Sequence, residues 1–147
     1  MSAFDPLMFE VRYSAPRGEP LHPFLPSSYV EARVAPEFML RLVDVEGALG
    51  LLKREVEARL VLEIRDDEIR ENAGPYTLGN DGVVRGTRAE ERVELDVRQL
   101  AQLYAGYLPA GQLARYGLIQ PSSPRALKLL ATFFPSDDPW LFPLDHF

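Results

Sequence analysis

From residue 38 onward, short apolar runs alternate with polar punctuation, predicting strands first and helices later. FMLRLVDV (38–45) is strand-like, with Met39, Leu40, Leu42, Val43 and Val45 allowing burial on both faces. Asp44 can cap a short helix carrying Ala48, Leu49, Leu51 and Leu52, because its carboxylate accepts from orphan amides. EARLVLEIR (57–65) alternates cleanly, with Ala58, Leu60, Leu62 and Ile64 on one face and Glu57, Arg59, Glu63 and Arg65 mostly on the other. That is the pattern of a half-buried antiparallel strand with one wet face. Asp66, Asp67 and Glu68 then read as a solvated loop or a ragged strand edge.

Residues 75–85 predict a hairpin, with Asn80-Asp81-Gly82 at its turn. Arg92 to Leu95 forms another strand, and Asp96-Val-Arg-Gln99 resembles a capping box. The helix it opens carries Leu100, Leu103, Tyr104 and Tyr107 and ends near Gly106. Residues 110–116 predict a second short helix closed by Gly117. Ser123-Pro124 is an N-cap followed by proline at the first helical position. The helix behind it carries Leu127, Leu130, Ala131 and Phe134 on one side. Strands followed by helices that must cover one apolar face make the fold α+β.

The ends of the chain differ from its middle. Of 13 prolines, six fall in residues 1–36 and five in residues 121–147. Residues 7–13 allow one short strand, and residues 29–34 are again extended; the proline-rich stretch between them cannot be helical. Segments of that kind are usually connections between domains. The tail after Pro135 is irregular and aromatic.

Composition narrows the chemistry. The chain has 147 residues, 46% apolar and 26% charged, enough for one domain with a sizeable core. Sixteen basic against 22 acidic residues leave a net charge of −6, which disfavours a phosphate backbone; no nucleic-acid partner is expected. There is no cysteine, and only His22 and His146 are available as imidazole ligands. No run approaches the roughly 20 apolar residues that span a bilayer. The start, MSAFDPLMFE, has no signal-peptide pattern. A soluble, cytoplasmic protein is expected.

Candidate sites are few. Asp66, Asp67, Glu68 and Glu71 lack the spacing of an EF-hand loop, which favours a solvated loop over a hard-cation site. Asp137, Asp138, Asp145 and His146 surround Trp140, Leu141 and Phe142, a mixture that favours docking over metal binding. Gly79 to Gly82 lies between strand-like segments and reads as a turn rather than a phosphate cradle. Neither a dinucleotide fingerprint nor a serine-nucleophile elbow appears. Tyr104, Tyr107 and Tyr116 are read as core amphiphiles ahead of ligand-stacking groups.

FMLRLVDVEGAL (38–49), NAGPYTLGNDG (72–82), ELDVRQLAQLYAG (94–106) and DDPWLFPLDHF (137–147) together are similar to another set of proteins. They resemble the C-terminal region of the Eis (enhanced intracellular survival) family of GNAT N-acetyltransferases. APRGEPLHPFLPSSYVEARV (15–34) is more loosely similar to the segment leaving the preceding acetyltransferase-like domain. The resemblance implies a sterol-carrier-protein-like fold over residues 37–147, with a mostly antiparallel sheet and helices covering one face. Residues 1–36 then form the extended exit from a GNAT-like domain. It also implies GNAT domains of the same or an adjacent chain as partners, and a homo-oligomer.

Acetyl-CoA is expected for the complete enzyme but not in this chain. The glycine-rich turn that would hold it is missing, and Arg85-Gly-Thr-Arg88 lacks the spacing. Metal is not expected. The resemblance further makes the terminal carboxylate of Phe147 the general base toward a substrate amine. Such a group ordinarily titrates at roughly 3.3–3.7, and burial beside Trp140, Phe142 and Leu144 would raise it. His146 stands where the family pocket often has an acidic residue, which weighs against polycationic acceptors such as aminoglycosides. The alternative is a stand-alone carrier whose apolar cavity holds a lipid or sterol.

Overall fold

The alternation in residues 57–65 becomes β1 (Leu60–Arg65), the central strand of a five-stranded sheet. The computed structural model describes residues 39–52, 56–136 and 139, together with residues 15, 24, 31 and 33. Before β1 comes α1 (Val45–Gly50), and after it a 3-10 turn at Arg70–Asn72. The hairpin follows as β2 (Gly74–Gly79) and β3 (Gly82–Arg85). Then come β4 (Arg92–Asp96), α2 (Val97–Tyr104), α3 (Ala110–Arg115), β5 (Ile119–Pro121) and α4 (Pro124–Phe133). Pro36–Pro139 form one compact unit.

The strand order is β3-β2-β1-β4-β5. Three of the four pairings are antiparallel, and β1 runs parallel to β4 with Leu62 opposite Val93. The antiparallel expectation for residues 57–65 therefore holds only on the β2 side. The reason is topological. β3 already runs with β1, so residues 86–91 must travel back along the sheet before β4 begins. They do so over the face that carries Thr77, whose hydroxyl donates to the Gly86 carbonyl and accepts from the Arg88 amide. Thr77 and its neighbour Val61 are buried on that face.

The helices cover the other face. Leu60, Leu62, Ile64, Tyr76, Leu78, Val93 and Leu95 share one core with the inward residues of α1, α2, α3 and α4. Each fully buried leucine contributes roughly 1.5–3 kcal/mol over leaving it exposed. Capping matches the local pattern. Asp44 accepts from the Gly47 amide, Asp96 from Arg98, and Ser123 from Ala126. At Gly47 a Cβ would press on the Asp44 carboxylate, so any larger residue there would make the cap shift. At the hairpin turn only Gly82 uses a positive φ, 104°.

Four expectations need correction. Residues 39–44 form no strand, and Met39, Leu40 and Val43 are exposed. Side chains from the β1–β2 connection take the backbone groups that a ladder would have used there, as described below. α2 stops at Tyr104 and is capped by Ala105, so Tyr107 lies beyond it and is exposed. Of the expected α4 face, Leu130 is buried, Leu127 packs partly buried against the core and Phe134 turns into it after the helix ends, but Ala131 is exposed. Ala126 and Phe133 complete the buried face instead, at the same helical spacing from Leu130. Finally, β5 was not foreseen, because three residues ending in proline carry no periodic signal.

Candidate functional site

Beneath residues 41–45 lies the most buried polar cluster among the described residues. Asp66, at the end of β1, is only 5% exposed. Its carboxylate accepts from the amides of Glu68 and Ile69, from the Asn72 amide group, and from Arg41 at 2.9 Å. Burial alone, the largest single influence, would raise this carboxyl. The Ile69 amide, Asn72, the Glu68 amide and the Arg41 charge together outweigh it and hold the group at about 2.

Asn72 joins this carboxylate to the chain above. Its Oδ1 accepts from the Val45 amide at 3.1 Å. Its Nδ2 donates to the Leu42 and Val43 carbonyls, each at 3.3 Å, and to Asp66. The Tyr76 hydroxyl donates to the Asn72 carbonyl, and the Arg85 guanidinium lies 5.2 Å from the Tyr76 ring centre. Burial pushes the Tyr76 phenol up, against the pull of Arg85. Arg85 also donates to the Glu71 and Ala73 carbonyls.

With so many partners the cluster is a cross-link, and it presents no free acid or base. It contradicts the solvated-loop expectation for Asp66, while Asp67, Glu68 and Glu71 are exposed as expected. Among the described residues, no three acidic or imidazole groups come together to hold a metal ion.

The other candidates separate. Gly79 to Gly82 is the hairpin turn. Tyr104 packs partly buried against the core, whereas Tyr107 and Tyr116 are exposed. Tyr116 accepts a hydrogen bond from Gln112. Sequence reasoning passed over Tyr76, the one fully buried tyrosine among the described residues. It also gave no role to Asn72, whose only signal was its place at the head of the NAGPYTLGNDG stretch. Phe147 lies outside the described residues, as do His22, Asp137, Asp138, Trp140, Asp145 and His146.

The concavities of the described residues include a small one and an open one. One, of about 10 Å³, is lined by Arg59, Thr77, Asp81 and Arg88 among others, room for about one water. The other is an open depression on the sheet, lined by Glu63, Ile64, Arg65, Arg92 and Glu94. Neither is an apolar chamber of the roughly 300–1,000 Å³ that suits a small-molecule ligand. The described residues do not fit a coenzyme A pyrophosphate either. α1 and α2 open on the carboxylates of Asp44 and Asp96, which repel an anion and occupy amides it would need, α4 opens on the Ser123 cap, and the uncapped α3 is only six residues long. No described helix is long and apolar enough to cross a membrane.

Residues 45–142 match the family described as the sterol carrier protein domain. Among solved structures, a GCN5-related N-acetyltransferase from Anabaena variabilis is 32% identical with a TM-score of 0.67, over 84% of this chain and 33% of that one. Eis1 from Mycobacterium abscessus is 30% identical with a TM-score of 0.60, over 68% of this chain and 26% of that one. A probable N-acyltransferase from Enterococcus faecalis is 25% identical with a TM-score of 0.65, over 78% and 31% respectively. The chain thus spans about a quarter to a third of the length of these structures. No curated protein is a significant match.

Proposed function

The chain belongs to the sterol carrier protein domain family, and from that premise we propose that it is the C-terminal domain of an Eis-type, acetyl-CoA-dependent N-acetyltransferase. The observation that carries this is the likeness to longer acetyltransferases. Up to 84% of the chain superposes on about a third of such an enzyme, at 32% identity. In this role the domain is a packed body that serves oligomer contacts and completes the active site of GNAT domains in the same or an adjacent chain. Acetyl-CoA is held by those domains and not by this one.

The catalytic contribution assigned to this chain is the Phe147 carboxylate, acting as general base toward the acceptor amine. Its test is to extend or amidate the C-terminus of the assembled enzyme. Turnover is expected to fall about 100-fold, within the usual range for a lost general base, with acetyl-CoA binding retained. Unchanged turnover removes the carboxylate from the mechanism.

Family membership also favours a second function, a stand-alone lipid or sterol carrier. The charged lining of the open depression, with Glu63, Arg65, Arg92 and Glu94, does not suit such a cargo.

A further inference from the structure

The turn between β2 and β3 carries a chemically reactive pair. Of the chain's ten glycines, only Gly82 follows an aspartate or an asparagine. The backbone nitrogen of a glycine attacks a preceding aspartyl carboxyl more readily than any other, because no side chain crowds its approach. Gly82 has a φ of 104°, and nothing lies within 4 Å of the place a Cβ would take. The Asp81 side chain is 60% exposed, so water reaches it. Asn80 is a poorer candidate, since its successor, Asp81, has a side chain that crowds the attacking nitrogen.

The fold restrains this chemistry from two sides. Asp81 Oδ2 accepts from Arg59 at 3.0 Å, a residue placed just before β1. Asp81 Oδ1 lies over Gly79, 2.8 Å from where a Cβ would stand, and the Arg59 stem flanks the same spot at 3.3 Å. The bare backbone of Gly79 thus leaves room for the carboxylate to fold back towards Arg59. Gly82 is itself paired with Gly79 across the turn. We propose that Asp81 is a site of spontaneous isomerisation to isoaspartate, and that Arg59 slows the reaction by clamping the carboxylate.

The step needs no co-reactant but water. The Gly82 nitrogen bonds to Asp81 Cγ, and one carboxyl oxygen leaves as water with the amide proton and a proton from solvent. The resulting succinimide then takes water back and returns the solvent proton. Attack at Cγ restores aspartate. Attack at the main-chain carbonyl breaks the original peptide bond, so the chain continues through Cβ and Cγ and leaves a free α-carboxylate. The turn gains one backbone carbon. That disturbs the geometry on which the pairings of Leu78 with Val83, Thr77 with Val84 and Tyr76 with Arg85 depend. Arg85 holds the Glu71 and Ala73 carbonyls and lies against Tyr76, so damage at the turn reaches the buried polar cluster through β3.

Isomerisation leaves the mass unchanged. It is read on the full chain, after long warm incubation at neutral pH, as chromatographic splitting of the peptide that contains residue 81. Electron-transfer fragmentation then locates the isoaspartate. Arg59→Gln is expected to accumulate it about threefold faster, the scale on which one exposed ion pair can hold a side chain. Arg59→Lys keeps the charge and stays near the natural rate. High salt screens the same pair and speeds the natural chain without any substitution. A free peptide of residues 75–86 lacks the clamp and is faster than the natural chain. Equal rates in the natural chain and Arg59→Gln, indifference to salt, or an Arg59→Lys as fast as Arg59→Gln overturns the clamp. No isoaspartate at position 81 even in the free peptide, or splitting that comes with a gain in mass and so reports Asn80 instead, overturns the site.

Discussion

The two interiors of this domain are built on opposite principles. Between sheet and helices, Leu60, Leu62, Leu100, Leu103, Leu113 and Leu130 are buried among one another. Stability there comes from apolar area and close packing, which are indifferent to which hydrophobe sits where as long as volume is kept. At the end of β1, Asp66 and Asn72 are buried just as deeply, yet nearly every contact is a directed hydrogen bond. There, shape without chemistry achieves nothing. The apolar interior makes the fold possible, and the polar one fixes how residues 41–45 enter it.

Substitution separates the two most sharply. Leu62→Ala is expected to cost about 4 kcal/mol, as transfer and cavity terms add, whereas Leu62→Met costs only about 1 kcal/mol. Asn72→Ala is expected to cost about 3 kcal/mol, because the Val45 amide and the two carbonyls above it lose their partner. Here the near-isosteric change gives no relief. Asn72→Asp sets a second carboxylate beside Asp66 and is expected to destabilise as much as alanine does. Urea titrations of the four variants measure all of this. A mild Asn72→Asp, or a Leu62→Met as damaging as Leu62→Ala, would erase the contrast.

Acid gives a smaller effect from the same source. The Asp66 carboxyl is lowered from 3.8 to about 2 on folding, so its contribution is fully present above the unfolded value and is lost as pH falls through the folded one. Thermal midpoints should therefore decline more steeply between pH 4 and 2 in the natural chain than in Asp66→Asn. The variant is less stable at neutral pH but flatter in that window. Parallel curves would mean that the Asp66 hydrogen bonds carry no net weight.

The same division explains what was legible in the sequence. The hairpin around Asn80–Gly82 and the caps at Asp44, Asp96 and Ser123 are local devices, and each appeared where its pattern placed it. Residues 38–45 looked like a strand because apolar content was all that could be seen. Their backbone partners sit in Asn72, 27 to 30 residues away, and no periodicity announces such a bond. Asp66 failed similarly, since an acidic run gives no hint that its first member turns inward. β5 exists only because β4 offers it an edge.

Native mass spectrometry of the chain, gently extracted from the cells that make it, tests the central claim most directly: this member of the sterol carrier family serves an acetyltransferase and carries no lipid. The expected result is the bare polypeptide mass, with no adduct released on activation. A retained stoichiometric lipid or sterol would contradict that and return the domain to carriage.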